Sequence, residues 1–574
     1  MSNGITDIRS RAKREWEQLE ALPRIRVGTA LCGNAAGATK VLNAIKNELS
    51  VRGIEANIHE VGCLGQCFAE PLVDIKMPGG PRVFYRNVTP ESIPELINTC
   101  LIEQKHISSS ALGSLGDGHL QDISRMEELD SWRHQVRIAT RNSGTIDPKN
   151  ISHYIAQDGY SALAKALTEM TPEQVLEQVA KSGLRGRGGA AFPTATKWGF
   201  LARTPGDEKY ILVNCEEGDP GAFNDKGILE SDPNTVIEGA ILAAYATGAT
   251  FGYVFIRHGH DGPIKRTENA ISQARDFGLL GKSILGTEFS FDMEVSLVGE
   301  SYVSGEETAL MEAIEGKRAM PRFRPPFPAQ SGLWGKPTNI NNVKTLAYIP
   351  EIIRQGGEWF AGIGHGRSTG TAVLCLSGEV VRPGMYEVPF GLSLGEVVDE
   401  IGGGVPDGQK VKLLQTGGPL GGVLGPQSME IILDFEQMAQ AGAILGSGGI
   451  IIGGESVCAV DLVRNLVAFC QFESCGKCFP CRLGMTHLVD VLDRISSGEG
   501  MPADQQLMES MGKSMALGSL CGHGQLGFNP VSSALRYFAE EFQTHIQEHR
   551  CPAERCSDFL HKPNRTRPLA IGVW

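Results

Sequence analysis

The run KYILVNCEEGDPGAFNDK (209–226) decides the fold. Its first part, KYILVN (209–214), is an apolar segment of strand length, and the rest is a turn dense in Gly, Pro and carboxylates. Beyond it a helical pattern runs through NTVIEGAILAAYATG (234–248), a strand through GYVFIRH (252–258), and a helix through TENAISQARDFG (267–278). This alternation predicts a large α/β unit over 136–365. The unit opens with helices, one of them bounded by Thr171-Pro172, with Gln174 as capping-box partner and Gly183 as its stop.

The pattern changes on both sides. Residues 24–101 read as strand RIRVGTALC, helix ATKVLNAIKNELSVRG, strand EANIHEVGC and hairpin LVDIKMPGGPRVFY. A closing helix is capped by Thr89 with Pro90 at its first position. This βαββα order predicts a small thioredoxin-like domain over 1–102, and the polar stretch 103–135 reads as a linker. Downstream, TAVLCLSGEV, GMYEV, KVKLLQTGG and MEIILDF read as short strands around one helix, a β-grasp module over 366–440. AGAILGSGGIIIGG (441–454) reads as a buried strand and turns, and a helical region with a tail completes 441–574. The expected class is thus multidomain α/β.

Length and charge bound the function. A chain of 574 residues is expected to hold several cores. A net charge of -13 argues against a nucleic-acid partner. The N-terminal stretch reads as an amphipathic helix without a signal core, and no run of about 20 apolar residues predicts a membrane span. Fourteen cysteines without a signal point to a reducing cytoplasm.

Three motifs carry chemistry. Cys475, Cys478 and Cys481 stand as C-x2-C-x2-C, and Cys521 lies in SLCGHG. Three thiolates at two-residue gaps with a remote fourth suit a [4Fe-4S] cluster better than zinc, where paired C-x2-C motifs are usual. GLRGRGGAAFPTATKW (183–198) combines close glycines with Arg185, Arg187 and Lys197. It reads as a phosphate nest, with a plain surface loop as the alternative. In VNCEEGDPGAFNDK (213–226), Asn214, Glu216, Glu217, Asp219 and Asp225 offer acceptors for ribose hydroxyls, or form an acidic solvated loop.

These segments, together with GESYVSGEETALMEAIEGKRAMPRFRPPFPAQSGLWGKPTNINNVKTLA (299–347), occur in one order. Over about 136–550 they resemble the NADH-binding flavoprotein subunit of respiratory complex I. The resemblance is to its soluble branch, the diaphorase subunits of NAD-dependent hydrogenases and formate dehydrogenases. It implies FMN, NAD(H) and one [4Fe-4S] cluster as cofactors, with NADH delivering hydride to the flavin and electrons passing on to the cluster. By resemblance, Gly186, Arg187, Gly188, Gly189 and Lys197 form the FMN phosphate loop, and Asn214 and Glu216 lie beside the flavin. Tyr302, Gly305 and Glu306 line the same pocket, with Asn341, Asn342 and Thr345 on its far side. Phe192, Phe200 and Phe327 surround the adenine, and Glu307 and Asp219 contact the nucleotide. Glu217 and Asp219 are the candidate catalytic carboxylates, and the acidic surroundings favour NAD over NADP. The β-grasp module matches the family's soluble-ligand-binding (SLBB) domain. Implied partners are a small thioredoxin-like [2Fe-2S] subunit and an iron-sulfur or catalytic redox subunit. An electron-bifurcating module joining NAD(H), ferredoxin and a third couple is the alternative.

The chain departs from this pattern in places. Gly37 stands where relatives carry a second cysteine after Cys32, while Cys63 and Cys67 remain. A standard N-terminal [2Fe-2S] cluster is therefore not expected. Cys551 and Cys556 in the tail are too few for a cluster, and the tail reads as a docking strand. Lys344 replaces a common glutamate and is expected to bring positive charge near the flavin. Cys215 reads as a packed small residue.

Overall fold

The computed structural model describes residues 2–556. The tail expected as a docking strand lies mostly outside them. An amphipathic helix, Ser2–Leu19, leads into a five-stranded sheet. Its strands are β1 (Arg24–Gly28), β2 (Asn57–Val61), β3 (Val73–Lys76), β4 (Arg82–Tyr85) and β5 (Ala111–Leu115), in the order β2-β1-β3-β4-β5. β1 and β2 are parallel, and the other neighbours are antiparallel. β1 stops at Gly28, so Cys32 sits on a short helix, Leu31–Ala36, rather than on the expected strand. The stretch expected to be a linker supplies β5, because Leu112 and Leu115 have an apolar seat beside Phe84 and Met126.

The central sheet is fully parallel: β6 (Tyr210–Cys215), β7 (Phe251–Arg257), β8 (Asp292–Val298) and β9 (Thr338–Asn342), in the order β8-β7-β6-β9. The chain steps from β6 outward to β7 and β8, then returns to pair β9 with the other edge of β6. Crevices form at such switch points, beyond the carboxyl ends of the strands. The helix Pro233–Thr247 is apolar on nearly every side and is buried almost throughout. It packs against Val343–Gln355, which begins directly after β9.

A short hairpin, β10 (Gly364–His365) and β11 (Ser368–Thr369), precedes the third sheet. That sheet contains β12 (Thr371–Gly378), β13 (Gly384–Pro389), β14 (Val411–Thr416), β15 (Val423–Leu424) and β16 (Gly449–Gly454), ordered β13-β12-β16-β14-β15. Two expectations change here. β16 is the central strand of this sheet, because its apolar run GIIIGG fits only a doubly covered position, so a boundary at 440/441 would cut the sheet. MEIILDF is not a strand and makes only one isolated bridge, Ser393 to Ile432. Helices follow from Ala459 onward and pack into a separate apolar core.

Candidate functional site

A cavity of about 1130 Å³ opens where β6 meets β9. It exceeds the roughly 300–1,000 Å³ of a site for one drug-sized ligand and has room for two. The register pairs Asn214 with Asn342 and Val213 with Asn341, which sets three amide side chains at the strand ends. Asn214 Nδ2 donates to the Gly305 carbonyl at 2.8 Å and its Oδ1 accepts from Glu216 N–H at 3.1 Å. Trp198 Nε1 donates to Asn341 Oδ1, Asn341 Nδ2 to Asn339 Oδ1, and Asn339 Nδ2 to the Lys197 carbonyl, each at 2.9 Å. This chain of amides fixes the floor.

The glycine loop forms one wall. Gly186 N–H donates to the Phe192 carbonyl at 2.8 Å and closes the loop on itself. A Cβ on Gly188 would come within 2.9 Å of Asn342 Cβ, so only glycine lets the loop lie against the floor. Arg187 corrects an expectation: its guanidinium turns away from the cavity. It donates to the carbonyls of Arg185, Thr369 and Thr371 and stacks on Phe390 at 4.9 Å. It anchors the loop to the third sheet, while its backbone N–H donates to Thr345 Oγ1 at 2.9 Å. Gly189, with φ at +115°, turns toward Gly446 and is not part of the lining.

The helix Thr194–Arg203 presents Lys197, Phe200 and Arg203 to the cavity, spaced by one helical turn each. Phe192, Phe200 and Phe327 stand at the mouth, about half exposed. Lys197 Nζ meets Glu307 Oε2 at 3.0 Å, and Arg324 holds the other oxygen at 2.7 Å. Burial works against the Glu307 charge, but the two cations prevail and lower its pKa. Glu306 lines the cavity and caps the helix Glu307–Ile314 by accepting from Thr308 and Ala309 N–H. Arg203, Arg324 and Gly522 were not foreseen as lining residues. The only signal for Arg203 was a cation one helical turn after Phe200.

Other expected residues lie behind the wall. Glu216 is 4% exposed and rests against Gly305, where an added Cβ would meet its Oε2 at 3.0 Å. Its Oε2 accepts from Gly218 N–H, its Oε1 has no hydrogen-bond partner, and burial pushes its pKa up to about 8. Glu217 and Asp219, the expected catalytic pair, do not line the cavity. Glu217 accepts from Asp225 and Lys226 N–H at 2.6 and 2.8 Å and holds the start of the helix Asn224–Ser231. Asp219 accepts from Ser447 Oγ at 2.6 Å, against Gly418. Both are drawn off by loop N–H and hydroxyl donors that sequence spacing does not reveal. Tyr302 likewise stands outside the lining, packed on Phe469 and His523 between the cavity and the helical region. Lys344 Nζ is 2.9 Å from Asp225 Oδ1 and 2.7 Å from Asn224 Oδ1, so its charge is paired rather than directed at the cavity. Cys215 is wholly buried in the core.

The four expected cluster cysteines come together beside this cavity. Cys475 lies in the loop after the helix Ala459–Phe472, and Cys478 precedes the helix Phe479–Ser496, whose first turn carries Cys481. Cys521 precedes the short helix Gly522–Gln525. Burial raises the Cys481 thiol to about 12, and the facing Cys478, Cys521 and Cys475 add to the rise. Four thiols near enough to oppose one another's ionisation fit an iron-sulfur core. Gly522, next to Cys521, lines the cavity itself, so cavity and thiols share a wall.

Two further thiol groups stand apart. In the N-terminal unit Cys63 and Cys67 Sγ are 4.0 Å apart, and hydrogen bonds from both lower the Cys32 thiol. Gly37 is a helix cap with φ at +106° and no atom within 4 Å of a Cβ placed there. In the helical region Cys551 and Cys556, judged too few by spacing, are joined by Cys458 and His545.

Comparison with known proteins agrees with this geometry. The family described as Nuo51 FMN-binding domain matches residues 179–351, the SLBB domain 373–424, and the NADH-ubiquinone oxidoreductase-F iron-sulfur binding region 461–545. The chain is 47% identical over 435 residues to the NADP-reducing hydrogenase subunit HndC of Solidesulfovibrio fructosivorans, covering 76% of this chain and 88% of that one. It is 39% identical over 406 residues to the NADH-quinone oxidoreductase F subunit of Escherichia coli (strain K12), covering 70% and 91%. A solved NAD+-reducing [NiFe]-hydrogenase in the H2-reduced state aligns over 92% of this chain and 86% of its own, with a TM-score of 0.64 and 27% identity. The chain belongs to the family of NADH-binding, FMN-containing flavoprotein subunits with an attached iron-sulfur region, to which these NADH-quinone oxidoreductase and hydrogenase subunits also belong.

Proposed function

We propose that this chain is the electron-entry subunit of a larger redox assembly, with FMN and NAD(H) sharing the cavity between β6 and β9. The observation that carries the reading is the shared wall: Gly522 lines the cavity and Cys521 directly precedes it. When bound, FMN supplies the exchange between the two-electron chemistry of NAD(H) and the one-electron chemistry of a [4Fe-4S] cluster.

The chain's own residues supply position and field. Gly186 and Gly188 let the loop backbone approach a phosphate, and Lys197 offers the nearby cation. Asn214, Asn341, Asn342 and Thr345 line the cavity and would hold the isoalloxazine and ribityl chain. Phe192, Phe200 and Phe327 offer faces and edges to an adenine, and ring pairs of this kind contribute about 0.5–1.5 kcal/mol each. Glu307, held ionised by Lys197 and Arg324, accepts from nucleotide hydroxyls and disfavours a further anionic phosphate. Behind Gly305, burial favours the neutral form of Glu216 against the pull of Arg257 at 3.5 Å. Cys475, Cys478, Cys481 and Cys521 hold the cluster.

The N-terminal sheet serves as a thioredoxin-like docking unit. The partners are a small [2Fe-2S] subunit and an iron-sulfur or catalytic subunit, a reading supported by membership of a family of complex subunits. Fourteen free cysteines suit the reducing cytoplasm as its compartment. No helix among the described residues is long and apolar enough to cross a membrane. Anaerobic addition of NADH to the purified protein tests the reading. Bleaching of bound flavin supports it, and a cofactor-free protein that neither binds FMN nor responds to NADH refutes it.

A further inference from the structure

Lys344 and Asp225 are 2% and 4% exposed, and the Lys344 ammonium lies 2.9 Å from Asp225 Oδ1. Neither residue lines the cavity, but Asn342, which does, is hydrogen-bonded to both. We propose that Lys344 is a positioning residue for the flavin: through Asp225 and Asn342 it fixes the cavity floor and balances the charge behind it. The inference rests on FMN occupying the cavity between β6 and β9.

Lys344 controls both ends of the Asn342 amide. Asn342 Oδ1 accepts from the Lys344 backbone N–H at 2.9 Å and caps the helix Val343–Gln355. Asn342 Nδ2 donates to Asp225 Oδ2 at 2.6 Å, and the other oxygen of that carboxylate takes the Lys344 ammonium. The amide is therefore held in one orientation, with its Cβ against Gly188 of the glycine loop. The ammonium also donates to Asn224 Oδ1 at 2.7 Å, and Asn224 Nδ2 donates to the Val373 and Ser447 carbonyls at 2.7 and 2.8 Å. One side chain thus pins the end of β9, the start of the helix Asn224–Ser231 and strand β12 of the third sheet.

Charge is the second part of the role. Burial works against the Lys344 ammonium, yet the Asp225 and Glu217 carboxylates prevail and raise its pKa. Burial also raises Glu217, with Asp225 adding to the rise and Lys226 and Lys344 opposing it. Removing one member of a buried pair leaves the other uncompensated, and in the low dielectric of a core its field reaches across the cavity floor. Reduction adds negative charge to a bound flavin. Without the ammonium, Asp225 would oppose that charge; without the carboxylate, Lys344 would favour it. A pair that only filled space would give no such opposition of sign.

Anaerobic redox titration of the purified full-length protein, read at the flavin band, tests this. Lys344→Met should shift the flavin midpoint potential to a more negative value and weaken FMN binding severalfold. Asp225→Asn, which keeps the shape of the side chain, should shift the potential to a more positive value. The double variant should return it close to wild type, with iron content at the wild-type level throughout. Should Lys344→Met fail to fold, Asp225→Asn carries the test through its positive shift. Unshifted potentials, or shifts of the same sign in the two single variants, would overturn this inference while leaving FMN in the cavity. Wild-type protein that binds no FMN would overturn the cavity assignment and this inference with it.

Discussion

Lys197 Nζ lies 3.0 Å from Glu307 Oε2 across the mouth of the cavity, and Arg324 holds the opposite carboxylate oxygen. One carboxylate thus bridges two cations at the place where a nucleotide enters. In Glu307→Gln, nucleotide affinity is expected to fall about tenfold or more, since a hydrogen bond to a charged group contributes about 1.5–3 kcal/mol. FMN content should stay near wild type. Flavin fluorescence and NADH titration of the same sample check both, and equal loss of both ligands would make Glu307 structural.

Gly188 packs on Asn342 with no room for a side chain. Gly188→Ala should lift the loop from the floor and lower FMN occupancy severalfold, with circular dichroism unchanged. Full occupancy in that variant would remove this loop from the flavin site.

Cys478→Ala should cost about four irons and leave flavin bound, because the thiols lie behind the cavity wall rather than in it. Iron analysis and the flavin spectrum report the two independently. Unchanged iron would sink the ligand assignment.

Glu216 holds its proton up to about pH 8, above the ordinary carboxylate range, because its burial outweighs the pull of Arg257, whose guanidinium lies 3.5 Å from Oε1. The folded state therefore binds more protons than the unfolded state between about pH 4.5 and 8, and stability falls as pH rises through that window. Glu216→Gln removes the titration and should flatten the decline. Melting temperatures of both proteins across roughly pH 5 to 9 check this, and parallel curves would assign the titration elsewhere.

Much of this was legible in the sequence. The alternation from Lys209 onward marked the α/β unit, and the spacing of Cys475, Cys478 and Cys481 marked thiols that the fold brings together. Side-chain direction was not legible. Arg187 and Lys197 are both cations near one glycine loop, yet Arg187 is drawn away by the carbonyls of Thr371 in the third sheet and Thr369 in the hairpin before it, while Lys197 faces the cavity. Glu217 and Asp219 sit in the turn that resembles the family, yet nearby donors turn both away from the cavity. The strand Gly449–Gly454 pairs with Thr371–Gly378 across a long stretch of chain, so local pattern could not place it in that sheet. The cluster of Cys458 with His545, Cys551 and Cys556 is assembled only by packing of helices distant in sequence.

The central claim is that electrons enter from NAD(H) at the cavity and reach the thiols of Cys475, Cys478, Cys481 and Cys521. Anaerobic titration of the purified protein with NADH, followed by electron paramagnetic resonance, tests it most directly. A reduced-cluster signal should grow as the flavin band bleaches, and it should vanish in Cys478→Ala while the bleaching persists. A cluster that dithionite reduces, but that stays silent at every NADH concentration that bleaches the flavin, would contradict the account.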